Sequence, residues 1–265
     1  MFRETSHDLI GTGTTEPHAC TISAGAEAKE TPHEMSIDWQ AFKLTIELAV
    51  IVSAILFVMG LPLGYWIAFT RWRWKFLVEA TVALPIVLPP TVLGFYVLVA
   101  LGSQSPVGRW WQWLTGHTLA FTFPGLVIGS ILYSLPFAVQ PFAASFSSVD
   151  RKLLAASATL GASPLRTFLR VVLPLSVPGL ATGVVLAFAH TMGEFGVVLM
   201  VGGNIPGITR TLSISIYDQV QASNYDGANT MALWLLLFCF IVLTAVYGLN
   251  RRTLNQKLWT MGPVK

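Results

Sequence analysis

Five runs of about 20 or more mostly apolar residues decide what this chain can become: about 44–69, 76–101, 125–145, 178–201 and 231–249. Backbone amides in lipid find no water, so a segment that crosses must satisfy them internally, and about 20 apolar residues suffice for one helical crossing. Only 11% of the 265 residues are charged and 54% are apolar, whereas a soluble domain carries roughly a quarter charged residues. The expected fold is an all-α polytopic membrane protein with five transmembrane helices. An odd number of crossings puts the termini on opposite faces.

The basic residues orient the bundle. Arg71, Arg73 and Lys75 lie between the first and second runs, Arg151, Lys152, Arg166 and Arg170 between the third and fourth, and Arg251, Arg252, Lys257 and Lys265 after the fifth. The opposite loops hold Arg109 and Arg210. The positive-inside rule then predicts an N-terminus outside and a cytoplasmic C-terminus, with 155–174 on the cytoplasmic side. No dense basic run suggests nucleic acid, despite a net charge of +3. Residues 1–38 are polar and acidic and lack an apolar signal core, so they are expected to form a disordered extracytoplasmic tail. Residues 39–252 are then the transmembrane domain and 253–265 a cytoplasmic tail. Cys20 in the polar tail and Cys239 in mid-span exclude a disulfide framework.

Prolines punctuate two spans. Pro85, Pro89 and Pro90 in the second and Pro136 and Pro141 in the third predict kinks or breaks, because each removes a backbone donor and crowds the preceding turn. Broken helices line cavities in many transporters; packed kinks are the plainer alternative. Trp110, Trp111 and Trp113 read as an aromatic belt, and Glu79 is placed to meet Lys75 near a span end. Leu212, Ile214 and Ile216 alternate as in a strand, whereas Leu212, Ile216 and Val220 recur as in a helix. Arg210 reads as a solvated loop arginine, with docking of a partner or steering of anions as its alternatives.

In the fourth run Gly179, Gly183, Ala187, His190 and Glu194 fall within roughly 80° on a helical wheel at about 100° per residue. Small residues at this spacing let helices approach closely, and ionisable groups in a membrane turn to a bundle interior or a wet cavity. This face is expected to meet another helix, line a translocation path or form a dimer face, with His190 and Glu194 as a structural or gating pair. Two ligands of the His-x-x-x-Glu type fall short of a metal site.

The segment "AASATLGASPLRTFLRVVLP", 155–174, breaks the apolar pattern. Leu153, Ala156 and Leu160 suggest a short helix ended by Gly161. Ser163 and Pro164 have the order of an N-cap and first helical residue. Leu165, Phe168, Leu169 and Val172 then form an apolar stripe opposite Arg166 and Arg170, and Pro174 is expected to stop that helix. A helix-turn-helix elbow results, with an amphipathic helix lying on the inner leaflet as the plainer alternative.

The pattern "AASATLG", nine residues and "VVLP" resembles the cytoplasmic loop signature of importer permeases of the ATP-binding-cassette family, E-A-A-x-x-x-G, nine residues, then I-x-L-P. Its positions fall on Ala155, Ala156, Ser157, Gly161, Val171, Leu173 and Pro174; Ala155 stands for the acidic residue and Ser157 for the second alanine. "LPIVLPPTVLGFYVL", "FTFPGLVIGSILYSLPF" and "AHTMGEFGVVLMVGGNIPGITRTLSISIYDQVQ" extend a resemblance to bacterial molybdate importer permeases over about 39–252, and "GEFG" and "GNIPG" are also similar to sulfate permeases. The resemblance implies a type I importer permease fold in the bacterial cytoplasmic membrane. It further implies a homodimer, two cytoplasmic ATPase subunits, an extracytoplasmic oxyanion-binding protein, a coupling loop over 147–175, and no cofactor bound by this chain. Without a G-x-x-x-x-G-K-[ST] loop the chain is expected to leave ATP hydrolysis to its partner. Leu165, Phe168 and Leu169 would grip that partner, with Arg166 and Arg170 available to acidic groups. The spans hold no mid-depth Lys or Arg, so a low-affinity path is expected, with Glu194 in packing or gating. A sulfate-type permease, an ion-coupled carrier or channel using His190 and Glu194, and an intramembrane metal enzyme are the rival readings.

Overall fold

The computed structural model describes residues 38–260, with side chains over 38–248. The expectations for 1–37, including the polar tail and Cys20, and for the side chains of 249–265 lie outside the described residues. All regular structure among the described residues is helical, with no strand. In chain order the elements are α1 (Trp39–Phe69), α2 (Lys75–Val87), α3 (Pro90–Leu101), α4 (Pro106–Thr115), α5 (Phe123–Ser147), α6 (Arg151–Thr159), α7 (Pro164–Thr167), α8 (Leu173–Met192), α9 (Gly196–Gly202), α10 (Leu212–Gln221) and α11 (Tyr225–Thr260). A π-helical stretch, Phe168–Val172, joins α7 to α8.

Four helical segments are long and apolar enough to cross a membrane: Trp39–Phe69, Phe123–Ser147, Pro164–Met192 and Tyr225–Gly248. The second run is not a straight crossing. Its two halves, α2 and α3, are bent by 111°, so the pair is either one broken span or a re-entrant hairpin. The break falls between Leu88, whose N–H still bonds the Leu84 carbonyl at 3.1 Å, and Pro90, the first residue of α3. A proline at that first position loses nothing, since its N–H would have no helical partner. Pro136 and Pro141, by contrast, sit inside an unbroken α5. Of the expected kink or break, no break falls there: α5 stays one helix, clamped between α1 and α8.

That clamp is the core. Phe142 of α5 is fully buried between glycines of two neighbours. A Cβ added at Gly64 of α1 would lie 2.9 Å from the Phe142 Cβ, one at Gly60 3.1 Å from its ring, and one at Gly183 of α8 2.7 Å from its ring. Lipid is as apolar as a side chain, so helices associate through such close packing rather than through hydrophobic expulsion. A second cluster packs Val97 and Leu101 of α3 against Val197 and Val201 of α9. At the far end of α1, Thr45 Oγ1 accepts the Leu212 N–H at 2.8 Å, and Asp38 caps α1 while accepting the Ser215 hydroxyl at 3.2 Å. The 212–221 segment is therefore a helix, resolving its mixed period.

Replacing Gly183 by Leu forces a side chain into the Phe142 ring. This should destabilise the protein in detergent by about 1–3 kcal/mol, read as a lower thermal unfolding midpoint. An unchanged midpoint would mean that α5 and α8 are not held at this contact.

Candidate functional site

The elbow is built locally. Asp150 caps α6 by accepting the Lys152 N–H at 2.8 Å, Gly161 takes a left-handed φ of +73°, and Ser163 accepts the Arg166 N–H at 3.3 Å with Pro164 as the first helical residue. Left-handed backbone is costly for residues with a Cβ, which is why glycine ends α6. Ser157 Oγ and Thr167 Oγ1 are 2.8 Å apart, tying α6 to α7. The alanine-to-serine departure in the loop signature thus supplies the hydroxyl that closes the elbow.

Pro174 does not stop the second helix. The π-helical stretch shifts the hydrogen-bond register so that the Leu173 N–H reaches the Phe168 carbonyl, five residues back. Pro174 then occupies the first turn of α8, where no donor is required. One helical body of 29 residues runs from Pro164 to Met192, roughly 43 Å at 1.5 Å per residue. The extra residue in the π turn also rotates the expected stripe. Leu165 and Leu169 are 67% and 51% exposed, whereas Val172 is buried. Phe168 packs on Tyr65 of α1 and Phe146 of α5, with ring centroids 5.0 and 6.1 Å away. Ala155, Ala156, Gly161, Arg166 and Arg170 are exposed on the same elbow, with Pro174 exposed and Leu173 half-buried just beyond.

The other end of α8 reaches a groove of about 580 Å³ lined by Pro90, Thr91, Tyr133, His190, Glu194 and Gly196, among others. The wheel of the fourth run needs correcting here. The helix ends at Met192, and Glu194 lies in a break, Gly193–Phe195, before α9. Just past the break, a Cβ at Gly196 would lie 2.5 Å from the Pro90 Cβ, so the start of α9 approaches the start of α3 this closely because the residue there is a glycine. Gly179 and Gly183 are filled by Ser145 and Phe142 of α5 in the same chain. Of the face read from sequence, His190 and Glu194 alone line the groove.

His190 and Glu194 do not pair. The His190 ring stacks on Phe137 with centroids 3.9 Å apart and lies 4.7 Å from Tyr133. Its Nδ1 is 3.0 Å from Ser134 Oγ. Glu194 is 4% exposed. Its carboxyl faces Ser130, yet neither carboxyl oxygen nor Ser130 Oγ attains hydrogen-bonding geometry. No three His, Cys, Asp or Glu side chains converge as metal ligands among the described residues.

Other sequence-marked residues fall elsewhere. Lys75 and Glu79 form an exposed pair at 3.4 Å. Trp110 and Trp113 of α4 are exposed while Trp111 packs on the α3 and α9 cluster. Arg210 is not a free loop residue: its Nε donates to Asn204 Oδ1 at 2.6 Å, Asn204 donates to Asp218 Oδ2 at 2.7 Å, and its guanidinium is 3.7 Å from the same carboxylate.

Comparison with known proteins matches residues 60–259 to the model of the family described as "Binding-protein-dependent transport system inner membrane component". The "Molybdenum transport system permease protein ModB" of Azotobacter vinelandii is 50% identical over 214 residues, covering 81% of this chain and 95% of that protein. The protein of the same description from Escherichia coli K12 is 38% identical over 212 residues, covering 78% and 90%. A solved bacterial ABC transporter involved in import of the acidic polysaccharide alginate superposes with a TM-score of 0.68 at 19% identity, over 82% of this chain and 80% of that one. The last likeness is one of fold.

Arg210→Ala removes the clamp on the 203–211 loop. Exposed ion pairs are worth about 0.2–1 kcal/mol, so amide exchange in that loop should quicken by up to about fivefold while the spans stay protected. Unchanged exchange would show that backbone bonds alone hold the loop.

Proposed function

The chain belongs to the family of binding-protein-dependent transport system inner membrane components, and from that premise we propose that it is the permease subunit of an ATP-driven molybdate importer. The observation that carries this reading is the 50% identity to a molybdenum permease across 81% of the chain. It is a multi-pass protein of the inner membrane and not an enzyme; ATP is hydrolysed by a separate subunit. We extend this to its partners: a second copy of the chain, two cytoplasmic ATPase subunits, an extracytoplasmic oxyanion-binding protein and the surrounding lipid, with no nucleic acid and no cofactor held by the chain itself. The basic residues of the 71–75 and 151–170 segments support an orientation with the elbow in the cytoplasm.

The mechanism follows from the rigid body that links elbow to groove. Ala155, Ala156, Gly161, Leu165, Arg166, Leu169 and Arg170 present the face that an ATPase would grasp, apolar at Leu165 and Leu169 and cationic at its margins. Phe168, Leu173 and Pro174 join that face to the bundle. Because Pro164–Met192 is one helical body, a tilt imposed at the elbow moves His190 at its opposite end. Transmission of this kind needs a stiff element with two arrangements rather than a flexible tether. Gly179 and Gly183 serve as the packed fulcrum on α5. His190 and Glu194 line the translocation path, where Thr91 and Tyr133 add hydroxyls and no Lys or Arg lines the wall. A doubly charged anion in such a groove is bound weakly. Selectivity and affinity then reside mainly in the binding protein.

Vesicles holding the complete complex should accumulate labelled molybdate with ATP, and unlabelled sulfate should compete far less than unlabelled molybdate. A preference for sulfate would assign the chain to the other oxyanion. Leu165→Glu combined with Leu169→Glu should lower ATPase co-purification and uptake at least about tenfold, since each buries an unpaired charge in the contact. Undiminished attachment and uptake would remove the elbow from the coupling path.

A further inference from the structure

The hydroxyl network behind His190 determines which ring nitrogen carries hydrogen. Thr191 Oγ1 donates its single hydrogen to the Ala187 carbonyl at 2.9 Å. Thr191 therefore accepts from Ser134 Oγ, 2.9 Å away. Ser134 has then spent its own hydrogen, so its contact with His190 Nδ1 at 3.0 Å is one in which the ring N–H donates. Only this arrangement satisfies all three bonds together. In the neutral ring Nε2 is consequently left without hydrogen, and it makes no hydrogen bond among the described residues. Phe137, stacked at 3.9 Å, and Tyr133, tilted at 4.7 Å, pack on the ring and keep it from turning.

A bare ring nitrogen repels a fully deprotonated oxyanion. It attracts one only when a proton lies between them. We propose that His190 contacts the travelling oxyanion through Nε2, sharing one proton that is taken from solvent when the anion enters the groove and returned when it leaves. This inference rests on the molybdate reading above and adds to it the proton stoichiometry of passage. Ser134 and Thr191 act as positioning residues, because they engage Nδ1–H and leave Nε2 as the ring nitrogen with no partner among the described residues. The other titratable groups lining the groove are Tyr133 from α5 and Glu194 from the break after α8; α3 contributes Pro90 and Thr91, and α9 contributes Gly196, Leu199 and Met200. No basic side chain lines this wall, so His190 is the group through which it can gain positive charge.

The test is ATP-driven uptake of labelled molybdate by vesicles holding the permease, its ATPase and saturating binding protein, from about pH 6 to about pH 8.5, the range over which histidines exchange their protons. Wild type should exceed His190→Gln by about tenfold at the acid end, the size of one charge-assisted hydrogen bond, and the two should converge at the alkaline end. Ser134→Ala, which leaves the ring present but its hydrogen unassigned, should give a smaller deficit at acid pH with the same convergence. A ratio of wild type to His190→Gln that does not vary with pH would overturn the proposal. If His190→Gln does not assemble with the ATPase, Ser134→Ala decides in its place: a deficit independent of pH, or none, overturns it. Failure of the molybdate reading is distinct, because wild type would then take up no molybdate at any pH.

Discussion

Everything in this bundle depends on how closely α1, α5 and α8 approach at Phe142. The ring occupies notches left by Gly60, Gly64 and Gly183, each too tight for an added methyl group without displacement of a neighbour. In a membrane this contact replaces the hydrophobic core of a soluble protein, because association is driven by packing that lipid cannot match. It also bears on why α5 stays one helix through two prolines: it is gripped on both faces. With α5 fixed, Tyr133, Ser134 and Phe137 are presented to His190, and Ser145 to Gly179. The groove and the fulcrum are two ends of one packed surface.

The π-helical stretch at Phe168–Val172 has the complementary role. It absorbs Pro174 without interrupting the helix, and in doing so it turns Phe168 inward onto Tyr65 and Phe146 while leaving Leu165 and Leu169 exposed. An elbow that ended at Pro174 would be a hinge; this one is a lever. Ser157 and Thr167 tie α6 to α7 across its bend, so that in the proposed mechanism a push on α6 is passed to α7 rather than lost between them. In the proposed importer, such a lever would let a chain that hydrolyses no ATP of its own change shape with its partner.

Much of this was legible where the chemistry is local. The apolar runs, the glycine at 161, the Ser163–Pro164 start and the break before Pro90 each follow from what a few neighbouring residues permit. The misreadings came from residues whose partners are distant in sequence or whose constraint is geometric. Pro174 was expected to end a helix, because no pattern reports a register shift five residues upstream. The helix break at Gly193–Phe195 was missed, since the apolar run continues across it and the close approach of Gly196 to Pro90 beside it joins residues far apart in sequence. His190 was matched with Glu194, its neighbour at helical spacing, whereas its partner Ser134 lies 56 residues away. Thr45 on α1 caps 212–221 across 167 residues, so the helix that the local period left ambiguous is settled by a side chain that no window could contain.

The claim that elbow and groove move as one body is tested most directly by a distance measured across the groove, between spin labels at Thr91 and Ala189, in the complete complex with and without ATP. The account predicts that ATP changes this distance in the native chain. It also predicts no change when a Gly-Gly pair inserted between Val172 and Leu173 severs the helix, even though the ATPase stays bound. The same nucleotide-dependent change in both chains would contradict it.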